Sequence, residues 1–134
     1  MPQIRVLLVD DNVTFLDAAS EFLSHDPRLL VVGTARDGLD AVALIDEFCP
    51  DLVLMDLVMP LMNGLDATRR IKALPAPPRV VVVSLLDGAA TRRRAEDAGA
   101  DGFICKFGFT STVLGVVDTL FTWPFGLPRP AGTS

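Results

Sequence analysis

Residues 51–64 read DLVLMDLVMPLMNG, and the first half of this stretch decides the fold. The run from Leu52 to Met55 is entirely apolar, which is typical of a strand covered on both faces, as in a parallel sheet. The run is followed at once by a carboxylate, Asp56, and then by a loop rich in turn residues. A charged residue directly after a fully buried strand suggests a site at the end of that strand.

The same pattern repeats on both sides of this stretch. Apolar runs predict strands over residues 4–9, 29–35, 52–56, 80–84 and 102–105. Segments with helical periodicity predict helices near residues 13–24, 39–48, 64–74, 89–98 and 111–121. Strict alternation requires a parallel sheet with helices on both faces, because each right-handed crossover lays its helix on the sheet. We therefore predict a doubly wound α/β domain with a five-stranded parallel sheet in the flavodoxin-like order 2-1-3-4-5.

Polar residues follow the predicted strands at the edge where their carboxyl ends meet. The set consists of Asp10, Asp11, Asp56, Ser84 and Lys106. Taken singly, each has a commoner structural role, such as a helix N-cap for Asp10 or a surface amine for Lys106. Ligands of such sheets bind where the strand order reverses, between strands 1 and 3, so the joint placement favours a functional site.

The chemistry of this set indicates phosphoryl transfer. Three neighbouring carboxylates repel one another unless a cation is present, and Mg²⁺ prefers oxygen ligands and leaves positions for phosphate oxygens. Asp10, Asp11 and Asp56 therefore predict a Mg²⁺ site. With the metal and Lys106 facing it, Asp56 can attack a phosphoryl group and form an aspartyl phosphate. Ser84 can then donate a hydrogen bond to the transferred group.

Charge argues against direct nucleic-acid binding. The formal net charge is −5, from 12 basic and 17 acidic residues, and nucleic-acid binding needs a basic patch. The only dense basic run, residues 92–94, is followed closely by Glu96 and Asp97 on a predicted helix. This run predicts a solvated helix face.

Composition predicts a cytoplasmic domain without a membrane span. Mean hydropathy is +0.42, and residues 107–127 carry one charge, Asp118. A span would place Asp118 near mid-bilayer at a cost of roughly 3 kcal/mol, and glycines and prolines interrupt the segment. Cys49 and Cys105 form no disulfide framework, and the first residues show no secretory signal, so we expect the reducing cytoplasm.

Four segments closely resemble the response regulator receiver domain of two-component signalling. They read VLLVDDN (6–12), LMDLVMPLMNGLDATRRIK (54–72), VVVVSLLD (80–87) and AGADGFICK (98–106). The resemblance implies that Asp56 accepts phosphate from a phosphohistidine of a sensor histidine kinase. The stretch MPLMNGLDATRRIK is most similar to receivers with a helix-turn-helix output, which implies transcription regulation. Residues 1–122 are then the receiver, and residues 123–134 are a proline-rich tail or linker with no output domain after it.

The resemblance also implies roles for individual residues. The Mg²⁺ ligands would be Asp10, Asp11 and Asp56 with the backbone carbonyl of Val58. Ser84 and Phe103 would form a switch pair, in which the hydroxyl moves to the phosphoryl group and the ring turns inward. The surface of helix 4, strand 5 and helix 5 would then change and control dimerisation or partner binding.

Two apolar residues predict a long-lived phosphoryl group. In the family, the positions of Val58 and Leu86 flank the path of the hydrolytic water. Apolar side chains cannot orient that water by hydrogen bonding. We expect the protein to catalyse its own phosphoryl transfer and to dephosphorylate slowly, as a signalling protein rather than a metabolic enzyme.

The fifth predicted helix is unusually apolar. Its apolar residues are Val113, Leu114, Val116, Val117, Leu120 and Phe121. Because a helix apolar over most of its girth is usually buried, we expect it to be covered by self-association or by the tail with Trp123 and Phe125.

Three other functions compete with a phosphorylated switch. An aspartyl-nucleophile phosphatase would place its nucleophile on strand 1 within a DxD motif, which VDDNV (9–13) does not fit. A degenerate receiver could act as a constitutive protein-interaction module, but such proteins lose acids of the site or the lysine, and none is missing here. A flavodoxin-like electron carrier would need a loop that binds phosphate after strand 1. Asp10 and Asp11 stand there instead and would repel the phosphate.

Overall fold

The computed structural model describes residues 3–122 and 127–128. Its strands are β1 (Ile4–Val9), β2 (Leu29–Ala35), β3 (Leu52–Met55), β4 (Arg79–Ser84), β5 (Gly102–Cys105), β6 (Phe121–Thr122) and β7 (Leu127–Pro128). Its α-helices are α1 (Val13–Ser24), α2 (Gly38–Phe48), α3 (Gly64–Lys72), α4 (Ala89–Asp97) and α5 (Phe109–Leu120). One turn of 3₁₀ helix, Lys106–Gly108, connects β5 to α5.

The main sheet confirms the predicted architecture. Its order is β2-β1-β3-β4-β5, and every neighbouring pair is parallel. Successive side chains of β1 enter different cores, because side chains of a strand alternate between the two faces. Val6 and Leu8 pack in the core beneath α1 and α5, whereas Leu7 and Val9 pack in the core beneath α2 and α3. The apolar runs therefore mark strands buried on both faces.

Helix α4 is the least anchored of the five helices. Side chains cap the N-termini of α1, α2 and α3, namely Asn12, Asp37 and Asn63. Helix α4 begins after Gly88, which has no side chain to cap it. Ala95 is the one fully buried residue of α4, whereas the other helices bury three or four. Few buried contacts make a helix easy to shift.

The predicted element boundaries differ from the observed ones mainly at α3, which ends at Lys72, two residues earlier than predicted, and at the start of α5. This helix begins at Phe109, two residues earlier than predicted, and ends at Leu120. Phe109 is buried edge-to-face against Phe15 and Phe22, with ring centroids 5.3 and 6.4 Å apart. This packing fixes the first turn of α5 through contacts with α1, which lies far away in sequence.

The apolar arc of α5 packs largely within its own domain. Val113, Val117 and Phe121 are buried, and Leu114, Val116 and Leu120 are partly buried against the same core. The exposed positions are Thr110, Ser111, Thr112, Gly115, Asp118 and Thr119. The apolar composition of α5 therefore has an intramolecular explanation and does not by itself call for a second copy.

Two residues of the predicted tail, Leu127–Pro128, form a short strand. Strands β6 and β7 pair antiparallel, with Phe121 opposite Pro128 and Thr122 opposite Leu127. Trp123 and Phe125, which the sequence suggested as a cover for α5, lie outside the described residues.

Cys49 and Cys105 are both free. Within residues 3–122 and 127–128, every helix is too short or too polar to cross a bilayer.

Candidate functional site

All five polar residues predicted for the site lie at the carboxyl edge of the main sheet. Asp10 and Asp11 follow β1, Asp56 follows β3, Ser84 ends β4 and Lys106 follows β5. Carboxylate oxygens of Asp10, Asp11 and Asp56 lie within 4.8 Å of one another. Asp10 and Asp56 are buried, and Asp11 is exposed at the mouth of the site.

The backbone that carries Asp56 is fixed from both sides. The Asp56 amide donates to the Val9 carbonyl at 2.9 Å, which joins the residue to β1. The Gly64 amide donates to the Leu57 carbonyl at 2.8 Å and closes the loop that precedes α3. A Cβ atom at Gly64 would lie 1.9 Å from the Asp56 carbonyl oxygen, so only glycine permits this approach.

Lys106 bridges the acids from the far side of the site. Its Nζ lies 2.6 Å from Asp10 Oδ2 and 3.7 Å from Asp56 Oδ1. The ammonium also lies 4.7 Å from the centre of the Phe15 ring on α1. One largely buried cation thus contacts two of the three clustered carboxylates, so the site keeps an excess of negative charge.

Asp56 is only 6 % exposed, so its carboxyl experiences both burial and the negative charge of its neighbours. Burial is the main cause that raises the pKa of the Asp56 carboxyl from 3.8 to about 6, and the negative charge of Asp10 contributes to the increase. Lys106 offsets part of this increase in pKa. Ionised Asp56 is therefore a high-energy group that would gain from a cation or from esterification.

The donor set fits Mg²⁺. Three carboxylates within 4.8 Å of one another are the oxygen ligands that this ion prefers, and the exposed Asp11 leaves the site open to water and phosphate oxygens. The Val58 carbonyl, two residues after Asp56, stays a prediction as a fourth protein ligand.

The predicted switch residues lie on the adjacent strands β4 and β5. Ser84 is buried, and its Oγ accepts a hydrogen bond from the Leu86 amide at 3.0 Å. Phe103 pairs with Val82 across the two strands, and its partly buried ring packs against a small core of Leu57, Val82 and Ala95. Phe103 thus packs between the sheet and α4, whereas Ser84 contacts the loop that precedes α4.

Sequence reasoning missed several residues that shape the site. The side-chain oxygen of Asn12 caps α1 by accepting a hydrogen bond from the Phe15 backbone amide. The backbone amide of Asn12 donates to Asp10 Oδ1 at 2.9 Å. Phe15 lies beneath Lys106, and Arg92 lies over the ring of Phe103. Only Asn12 carries a local signal, since it precedes a predicted helix directly. The contacts of Phe15 and Arg92 join distant segments and leave no trace in local pattern.

The sequence and fold resemble those of proteins of known family. A model of the response regulator receiver domain matches residues 6–114. A protein-glutamate methylesterase/protein-glutamine glutaminase from Methanospirillum hungatei is 40% identical over 105 residues, which are 77% of this chain and 31% of that protein. The chain thus spans about a third of the length of this relative.

Two solved structures share the architecture. The receiver domain of the response regulator NarL from Mycobacterium tuberculosis is 32% identical with a TM-score of 0.82, covering 87% of this chain and 94% of that one. A CheX–CheY–BeF₃–Mg²⁺ complex from Borrelia burgdorferi contains a chain that is 27% identical with a TM-score of 0.83, covering 90% and 91%.

The relatives confirm the expected likeness to helix-turn-helix regulators only in part. LuxR-type regulators occur among them, but methylesterase receivers do as well. The chain belongs to the response regulator receiver domain family of two-component signalling.

Proposed function

We propose that the protein is a phosphorylation-driven switch in which Asp56 accepts a phosphoryl group from a phosphohistidine of a sensor histidine kinase. The observation that carries this proposal is the position of Asp56. Its buried carboxylate, with a pKa raised to about 6, meets Asp10, Asp11 and Lys106 at one edge of the sheet. Such repulsion does not stabilise the fold, so it is not explained by a structural role of the carboxylate. It does make the ionised carboxylate more reactive as a nucleophile.

Residues of this chain suffice for the transfer when the metal is bound. An Asp56 oxygen attacks phosphorus, the P–N bond to the donor imidazole breaks, and the imidazole leaves with its proton. Lys106, already 3.7 Å from Asp56 Oδ1, neutralises charge on the phosphoryl oxygens. Asp10, Asp11, Asp56 and the Val58 carbonyl would hold a Mg²⁺ ion, which would neutralise further charge on the phosphoryl oxygens.

The response to phosphorylation begins at Ser84. Its hydroxyl turns to the new phosphoryl oxygens, and the ring of Phe103 moves inward into the space beside it. The surface formed by α4, β5 and α5 then changes shape. This proposal is supported by the weak anchoring of α4, which has a single fully buried residue, Ala95.

The phosphoryl group is lost slowly. Val58 and Leu86 flank the site with side chains that are 68 % and 58 % exposed. Neither can hydrogen-bond an attacking water, so the protein provides little help to hydrolysis.

We further propose that the α4-β5-α5 surface binds partners, including a second copy of the chain, and not nucleic acid. Residues 1–122 act as the receiver domain and residues 123–134 as a tail or linker. The two free cysteines, Cys49 and Cys105, suit a cytoplasmic location. Regulation of transcription stays a prediction from the resemblance to receivers with a DNA-binding output.

The proposal is tested by the intact mass of the protein after incubation with acetyl phosphate and Mg²⁺, together with its elution in size-exclusion chromatography. We expect a gain of one phosphoryl mass in the wild type and none in Asp56→Asn. An elution shift in the phosphorylated wild type alone would indicate assembly through the switch. No mass gain in a folded, magnesium-binding protein would favour the alternative, a constitutive interaction module.

A further inference from the structure

Arg92 on α4 contacts the aromatic residue of the proposed switch. Its guanidinium carbon lies 4.6 Å from the centre of the Phe103 ring, which is cation–π geometry. The same guanidinium donates from Nε to Asp87 Oδ1 at 2.8 Å. Arg92 therefore makes two specific contacts, although residues 92–94 read in sequence as a solvated charge run.

These contacts form a continuous path from Ser84 to Phe103. The Leu86 amide donates to Ser84 Oγ at 3.0 Å, and Asp87 is the next residue of the same loop. Asp87 pairs with Arg92, and Arg92 lies over Phe103. The loop that precedes α4 is thus joined at one end to the hydroxyl and at the other to the ring.

The surroundings of the ring explain how a surface arginine can matter. Phe103 is only partly buried, and its buried side packs on Leu57, Val82 and Ala95. Phe103 and Arg92 also line a cleft of about 450 Å³ between α4 and β5. The Phe103 ring therefore has two kinds of contact, apolar packing on its buried side and the Arg92 guanidinium over its face.

We propose that Arg92 is a positioning residue that holds the Phe103 ring in its unphosphorylated place and that Asp87 orients Arg92 for this contact. This inference rests on the proposed function, because it assigns a restraint to the switch that phosphorylation operates. When the ring turns inward, it leaves Arg92, so the contact exists in only one of the two states. A contact made in one state alone shifts the equilibrium by its full energy.

The expected size follows from the exposure of the pair. The Arg92 side chain is 51% exposed, and cation–π contacts at exposed sites are worth about 0.5–1 kcal/mol. Loss of the contact should therefore raise the population of the phosphorylated-like state roughly two- to fivefold. Apparent affinity for a phosphoryl mimic rises by the same factor while that state is a minor one.

The test titrates beryllofluoride in excess Mg²⁺ into the 134-residue chain labelled with fluorophenylalanine. In ¹⁹F NMR the Phe103 resonance is assigned as the one that disappears in Phe103→Leu. In the Phe103→Leu protein, the beryllofluoride concentration for half-conversion to the bound state is read from another resonance that shifts. Arg92→Ala should reach half-conversion at roughly two- to fivefold lower beryllofluoride. Arg92→Lys, which keeps a cation, should lie between it and the wild type. Arg93→Ala, an exposed arginine on the same helix, should titrate like the wild type.

A double-mutant cycle separates the ring contact from other effects of the charge. In the Phe103→Leu background, Arg92→Ala should lose its effect, because leucine offers no aromatic face. The inference is overturned if Arg92→Ala titrates like the wild type or needs more beryllofluoride, or if its gain persists in the Phe103→Leu background. If the wild type itself binds no beryllofluoride, the proposed function fails and not this restraint alone.

Discussion

Single residues of the site combine local signals with distant contacts. Asp56 could be recognised from sequence because a carboxylate follows a fully apolar run. The three acids, Ser84 and Lys106 followed from where parallel strands end. The place of Lys106 against Asp10 and the Phe15 ring could not be predicted, because it depends on how α1 packs beside the end of β5.

The raised pKa of Asp56 predicts that this residue destabilises the metal-free protein. A carboxyl whose pKa rises from 3.8 to about 6 on folding stabilises the fold when protonated, and this contribution is lost as pH rises through about 6. Ionised Asp56 then costs up to about 3 kcal/mol at pH 7.5. Asp56→Asn should raise the free energy of unfolding by about 1–3 kcal/mol at pH 7.5, and by about half as much at pH 5.

Urea denaturation in a chelator at both pH values measures this gain. Asp46→Asn, at an exposed position on α2, serves as control and should change little at either pH. The electrostatic description of the site would be contradicted if Asp56→Asn did not raise the free energy of unfolding at pH 7.5, or raised it more at pH 5 than at pH 7.5.

Leu61 is a second residue with a measurable strain. It has φ of 67° in the loop between β3 and α3, and its side chain is 78% exposed. Leucine disfavours this left-handed conformation, whereas glycine adopts it freely. Leu61→Gly should stabilise the protein by about 0.5–1 kcal/mol in chemical denaturation. Leu85→Gly, at an exposed leucine without positive φ, is the control and should destabilise the protein. If both variants lowered the free energy of unfolding equally, Leu61 would not be strained.

The proposed slow loss of the phosphoryl group is attributed to the apolar side chains of Val58 and Leu86, which cannot orient the attacking water. The double variant Val58→Asn with Leu86→Glu supplies groups that can orient water, so dephosphorylation should accelerate by at least about tenfold. The decay of the phosphorylated mass after removal of acetyl phosphate measures the rate. Leu85→Glu, on the same loop, is the matched control and should leave the rate near the wild-type value. An unchanged rate in the double variant would refute the explanation.

Among the elements, strands were predicted more accurately than helix ends. Apolar runs buried on both faces are local signals, and all five strands of the main sheet were found. Helix α5 begins two residues early because Phe109 packs on α1, and its apolar arc fits the core of the same domain. Both features depend on tertiary packing, which periodicity does not encode.

The start of α3 sets the position of Asp56, and two glycines test this. Gly64→Ala would place a methyl group 1.9 Å from the Asp56 carbonyl oxygen, so it should destabilise the protein by about 1–3 kcal/mol and weaken Mg²⁺ binding. Gly115→Ala in α5 meets no atom within 4 Å and should stabilise by about 1 kcal/mol. Thermal unfolding with and without Mg²⁺ measures both. A tolerated Gly64→Ala would show that this loop is not constrained.

On the scale of the whole molecule, a doubly wound sheet brings residues from four strand ends to one edge. The alternation of strands and helices along the sequence predicts this strand order, which the structure confirms. The family of the chain is consistent with the same fold. The link from the site to α4 through Asp87 and Arg92 depends on tertiary contacts that local sequence does not encode. Chemistry at the edge could thus be anticipated from sequence, but the restraint on the proposed output surface could not.

Locating the phosphoryl group is the most direct test of the proposed switch. Borohydride reduces an aspartyl phosphate to homoserine, so protein treated with acetyl phosphate and Mg²⁺ and then reduced should contain homoserine at position 56. Peptide mass mapping should find it there and at no other aspartate, in an amount that follows the phosphorylated fraction. Homoserine at Asp10 or Asp11, or phosphorylation without any at Asp56, would contradict the assignment of the acceptor.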